Sequence, residues 1–124
     1  MEATPSYSFR WDPARNLIEI NYRGRVGVTD VRAVAERVED ALQQASKGFT
    51  LLVDLTGLDS MELDCAVDIA RIMDACNAAG IGTVARVIPD RKKDIGLNIL
   101  SIIHYRRGVH VLTFDDLVEA RSLI

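Results

Sequence analysis

Phe49-Thr50-Leu51-Leu52-Val53-Asp54-Leu55, followed at once by Thr56-Gly57-Leu58-Asp59-Ser60, is the stretch on which the fold turns. A half-solvated strand alternates apolar and polar residues, whereas one covered on both faces does not, so the first segment predicts a buried strand of a parallel sheet. The second segment predicts a loop. From about Met61 the period changes. Cys65, Ala66, Ile69, Ile72, Met73 and Cys76 recur at helical spacing, Asp64, Asp68, Arg71 and Asp74 fall on the other side, and Gly80 ends the helix.

The pattern extends in both directions. Upstream, Val31, Val34, Val38, Ala41 and Leu42 mark a helix with Thr29 as its N-cap and Lys47-Gly48 as its close. Before it, Tyr7–Trp11 and Leu17–Gly24 read as two strands joined by the turn Asp12-Pro13-Ala14-Arg15-Asn16, an antiparallel hairpin. Downstream, Ile81–Ile88 is a second buried strand, Arg91–Tyr105 a helix, Val109–Thr113 a last strand and Asp115–Leu123 a short helix. The expected fold class is α/β, with a mixed sheet of about five strands and four helices in the order ββαβαβαβα. The chain reads as one domain over residues 1–124, with residues 1–5 loose.

Composition narrows the function classes. The 124 residues carry 15 Lys and Arg against 18 Asp and Glu, a net charge of −3, which argues against a general nucleic-acid binder. Apolar residues make up 48% and charged residues 27%, a globular balance. No apolar run approaches the ~20 residues of a membrane span, and Met1–Arg10 lacks a signal-peptide layout, so the expected location is the cytoplasm. The two cysteines, Cys65 and Cys76, lie on one predicted helix about 16 Å apart, too far for a disulfide, and read as small buried apolar residues. His104 and His110 have no ligand partners at metal spacing. No nucleophile elbow, P-loop or dinucleotide fingerprint is present. The expectation is a non-enzymatic protein without metal or cofactor.

Leu51-Leu52-Val53-Asp54-Leu55-Thr56-Gly57-Leu58, with a helix ending Ala78-Ala79-Gly80, resembles the STAS fold of anti-sigma-factor antagonists. The stretch Ser101–Gly108 leading to Phe114-Asp115-Asp116-Leu117 is similar to the small bacterial SpoIIAA-like branch, and the element order matches from Tyr7 to Leu123. The resemblance implies a regulatory module that docks a protein partner at the start of its second helix. Regulatory members carry Asp-Ser-Ser/Thr-Gly there, with a phosphorylated hydroxyl. The corresponding positions here are Glu62, Leu63, Asp64 and Cys65, so the acceptor is replaced by fixed negative charge. Ser60 substitutes only if the loop is shorter and the helix longer.

Two groups of residues follow as candidates. Thr56, Asp59, Ser60, Glu62, Asp64 and Asp68 are the expected partner-docking surface, set at a helix start where acidic side chains suit the dipole. A divalent-metal or paired-carboxylate reading of the same run has only the Asp64/Asp68 face in its favour. Arg91, Lys92, Leu97, Leu100 and His104 are the expected ligand or anion residues. Arg91, Lys92 and Lys93 oppose the dipole of the helix they begin, and Asn98–Ile103 is apolar around most of its girth. An alternative function therefore stands beside the first. In it the chain carries a small apolar or lipid-like ligand in a pocket similar to that of the Sec14 fold. A homodimer through the first strand's edge or the apolar helix is compatible with either.

Overall fold

The computed structural model describes residues 6–88 and 108–124. Five strands form one sheet: β1 (Tyr7–Asp12), β2 (Leu17–Val26), β3 (Thr50–Met61), β4 (Thr83–Val87) and β5 (His110–Phe114), in the spatial order β1-β2-β3-β4-β5. β1 and β2 form the expected antiparallel hairpin, and β2, β3, β4 and β5 run parallel. Among the described residues there are three helices: α1 (Val28–Leu42), α2 (Cys65–Ala79) and α3 (Leu117–Leu123). The helix expected over 91–105 lies outside the described residues, and with it Arg91, Lys92, Leu97, Leu100 and His104.

The sheet is covered on both sides, which is why β3 and β4 read as continuous apolar runs. Ile18, Ile20 and Tyr22 of β2, Leu51 and Leu55 of β3 and Val84 of β4 point to one face. There they meet Val31, Val34 and Val38 of α1 and Ile69, Ile72 and Cys76 of α2. Leu17, Leu52, Ala85, Val87 and Phe114 point to the other face and meet Ala120 of α3. Period-two alternation thus survives inside an apolar strand as an alternation between two cores.

Several boundaries differ from expectation. Residues 56–61 are not a loop. β3 continues through Met61, pairing with β2 at Arg23↔Gly57, Gly24↔Leu58, Arg25↔Ser60 and Val26↔Met61 across two register shifts. The shifts absorb the turn chemistry of Thr56-Gly57 while Leu58 remains in the core. α2 accordingly begins at Cys65 rather than near Met61. The N-cap of α1 is Gly27, not Thr29. Asp30 Oδ2 accepts from the Gly27 N–H at 3.1 Å, so the acidic side chain behind Thr29 reaches back and fixes the start. α1 also ends at Leu42, short of Lys47-Gly48. Gly48 instead donates its N–H to Gly80 O at 2.7 Å, joining the two turns that precede β3 and β4. Gly80 is the α2 terminator foreseen, left-handed at φ 86°, with Ile81 N donating to Cys76 O at 3.1 Å.

Candidate functional site

The parallel pairing of β2 and β3 brings their C-terminal ends together, and α1 and α2 both start from that end of the sheet. The connection from β3 to α2 is short: Met61 is the last strand residue, Glu62-Leu63 form the turn and Asp64 is the N-cap. The turn is held by the Glu62 N–H, which donates to Val26 O at 3.1 Å, and by Cys65 N donating to Glu62 O at 3.0 Å. The Glu62 side chain folds over the start of α1, against Gly27. Its carboxylate and that of Asp30 therefore sit at the positive end of the α1 dipole. Asp64 caps α2 in αR geometry with no side-chain capping bond, leaving its carboxylate at the surface.

The same end of α2 also exposes apolar side chains. Leu63 is 92% exposed and Val67 75% exposed, with Ala66 exposed beside them. The α2 face that packs on the sheet carries Cys65, Ile69, Ile72, Met73 and Cys76. Leu63 and Val67 fall outside that stripe, and sequence reasoning passed over both. The signal was available: two large apolar residues four apart, off the buried periodicity of the helix they begin.

The sequence-derived docking residues separate into three groups. Asp59, Ser60, Glu62 and Asp64 are exposed along the end of β3 and the turn into α2. Thr56 is exposed but on the extended strand, its N–H donating to Asp54 Oδ1 at 3.0 Å. Asp68 leaves the surface set. It is 5% exposed and lies 3.7 Å from Arg32 of α1 and 4.0 Å from Arg71, so it ties the two helices together. Arg71 makes a second tie, a bidentate pair with Glu39 of α1 at 3.0 and 2.5 Å. Those hydrogen bonds hold the Glu39 carboxyl below its ordinary range.

Neither cysteine offers reactive chemistry. Both are buried and unpaired; burial pushes the Cys76 thiol up to about 12, and burial together with the nearby Glu62 charge raises that of Cys65. Among the described residues no group of His, Cys, Asp and Glu is placed to hold a metal ion. No described helix is long and apolar enough to cross a membrane.

Beneath α2 lies an apolar cavity of about 40 Å³, lined by Tyr22, Leu55, Ile72, Met73, Val84 and Arg86 among others. That is room on the scale of water molecules rather than of an acyl chain. Tyr22 lines it; its hydroxyl is buried and, among the described residues, without a hydrogen-bond partner, and burial holds this phenol far above its ordinary pKa.

The fold has clear counterparts among solved structures. An uncharacterised protein of the DUF3478 family with a SpoIIAA-like fold, from Shewanella loihica, superposes with a TM-score of 0.74 at 16% identity, over 99% of this chain and 98% of that one. The anti-sigma factor antagonist SpoIIAA in its unphosphorylated form gives 0.62 at 14% identity, covering 94% of each chain. An anti-sigma factor antagonist from Mycobacterium paratuberculosis gives 0.60 at 12% identity, over 100% of this chain and 98% of that one. No family model and no curated protein matches the sequence. The chain thus has the SpoIIAA-like, STAS-type fold that its third strand suggested.

Proposed function

We propose that this chain is a regulatory protein-interaction module of STAS type that engages a protein partner through the start of α2 without a phosphorylation switch. The observation that carries the reading is the exposed apolar pair Leu63 and Val67 at the start of α2, beside the exposed acidic residues Glu62 and Asp64. Large apolar side chains at such exposure are costly to leave in water and mark contact surfaces. The rim charge selects the partner: an apolar cleft edged by Lys or Arg complements this surface, and an acidic one is repelled. The likeness to anti-sigma factor antagonists supports a regulatory role for the fold.

The same geometry supports constitutive rather than switched docking. Glu62 and Asp64 supply negative charge permanently where a phosphate would supply it on demand. Ser60, the nearest hydroxyl upstream, sits on β3 opposite Arg25 rather than at a helix start. The alternative of a small apolar or lipid-like ligand rests on the helix expected over 91–105, which lies outside the described residues.

A photo-crosslinking residue placed at Leu63 tests the reading in the cell. A single discrete protein adduct from position 63, absent when the same residue is placed at exposed Gln43, and abolished by Glu62→Lys with Asp64→Lys, supports it. Adducts indifferent to the charge reversal refute it.

A further inference from the structure

β1 stands at one end of the strand order, and only one of its edges is taken. It pairs with β2 from Tyr7↔Tyr22 to Asp12↔Leu17 without a register shift, and the Arg23 N–H donates to Ser6 O at 2.7 Å. Bonded and non-bonded positions alternate along an antiparallel pair. Ser6, Ser8, Arg10 and Asp12 therefore turn their backbone groups to β2, and Tyr7, Phe9 and Trp11 turn theirs outward. Among the described residues no backbone group pairs with those outward N–H and C=O groups. Such a row is a template for another strand, and monomeric sheets usually spoil it with a bulge, a lysine or an unmatched charge. β1 has no bulge and no lysine. Its Arg10 is matched within the chain by Asp12 at 3.5 Å and Glu19 at 3.6 Å.

The row is also symmetric. Pro5 and Pro13, which have no N–H to offer, stand four residues to either side of Phe9. Tyr7, Phe9 and Trp11 share the face that packs towards α1, where all three are half-buried. An edge whose bonding groups and aromatic side chains are both centred on one residue complements a copy of itself.

We propose that β1 pairs antiparallel with β1 of a second copy of this chain, about a two-fold axis at Phe9. In that register Phe9 faces the partner's Phe9 and Tyr7 faces the partner's Trp11, so every outward N–H meets an outward C=O. The facing aromatic rings add cross-strand contacts. On the other face Ser8 lies opposite the partner's Arg10. Neighbouring registers are worse. Centring on Arg10 sets the two guanidinium groups face to face and Tyr7 against Pro13; centring on Ser8 sets Trp11 against Pro5. The axis stands perpendicular to the sheet, so both copies of α1 lie on one side. α1 packs over β1 and β2. With strands about 4.8 Å apart, the two copies of α1 stand about 10 Å from each other, the ordinary distance between packed helices. A six-residue edge is small beside the ~1,200 Å² of a standard interface, so the dimer forms reversibly with concentration.

The test is sedimentation equilibrium and backbone amide exchange on the whole wild-type chain, dilute and concentrated. The expected result is a dimer mass on concentration, with exchange at Tyr7, Phe9 and Trp11 slowed at least tenfold in step with it. Ser8 and Arg10, already bonded to β2, change less. Phe9→Cys and Ser8→Cys read the register. Facing Cα atoms of a bonded pair lie about 5.5 Å apart, within disulfide range, whereas the two copies of residue 8 are two residues out of register and beyond the ~7 Å limit. Mild oxidation should join Phe9→Cys into a covalent dimer and leave Ser8→Cys single. A chain that stays monomeric at its highest soluble concentration overturns the proposal. So does a dimer whose Tyr7, Phe9 and Trp11 amides exchange as in the monomer, or Ser8→Cys joining as readily as folded Phe9→Cys.

Discussion

The Glu62 carboxylate lies so close to Gly27 that a Cβ added to Gly27 would stand 2.5 Å from Glu62 Oε1. The start of α1 and the turn into α2 are thus one surface. Gly27 has extended backbone geometry, at φ −108° and ψ 177°, which alanine also adopts. The clash falls on the far end of a flexible side chain. Gly27→Ala therefore swings Glu62 away at a cost in stability within about 1 kcal/mol. Thermal unfolding close to that of the wild type, together with partner affinity reduced several-fold, is the expected pair of results. A collapse in stability would show that Glu62 cannot move.

Gly82 makes the opposite kind of close approach. A Cβ there would meet Gly48 backbone, at 2.9 Å from its O and 3.0 Å from its Cα, where β3 and β4 begin side by side. Backbone cannot swing aside as a carboxylate can. Gly82→Ala is expected to destabilise the fold by about 1–3 kcal/mol, the range for overpacking, as measured by urea unfolding. An unchanged midpoint would contradict the paired-turn geometry.

Tyr22 carries a hydroxyl into the core with no hydrogen-bond partner among the described residues. Removing it leaves the packed ring and deletes an unsatisfied polar group, a gain of roughly 1 kcal/mol. Tyr22→Phe should raise the unfolding midpoint. A loss of stability would mean that the hydroxyl has a partner, such as an ordered water in the cavity of about 40 Å³.

The pair of Arg71 with Glu39 sets a pH signature. Its hydrogen bonds lower the Glu39 pKa in the folded chain below the ordinary value of 4.5. The folded state therefore binds this proton less readily than the unfolded chain does. The pair's contribution is fully present above the unfolded pKa and is lost as pH falls through the lower, folded one. The stability difference between wild type and Arg71→Ala should be flat from neutral pH down to about 5 and shrink in more acidic solution. A difference that grows on acidification would reverse the assignment. Because the pair is substantially exposed, its effect should also weaken with salt.

Much of this fold was legible in the sequence because its signals are local. The apolar runs at Leu51–Leu55 and Val84–Val87 could only be strands covered on both faces, and Gly80 could only end a helix cleanly by turning left-handed. What stayed hidden depends on partners distant in sequence. Thr56-Gly57 carries turn chemistry, yet pairing with Arg23–Val26 holds the segment extended. Asp68 sits on what looks like a wet face of α2, yet Arg32 from α1 makes its burial affordable. Glu62 and Asp64 were legible as an acidic helix start, whereas Leu63 and Val67 became visible only once the buried stripe of α2 was located. The outward turn of Tyr7, Phe9 and Trp11 needed strand register, which hydropathy does not supply.

The most direct test of docking at α2 is the affinity of the crosslinked partner for unphosphorylated chain, measured by calorimetry on wild type and on Glu62→Lys with Asp64→Lys. The account predicts tight binding by the unmodified wild type and at least a tenfold loss in the reversed variant, with thermal unfolding of the two within a few degrees. Equal affinity for the two proteins, or binding that appears only once Ser60 carries a phosphate, would contradict it.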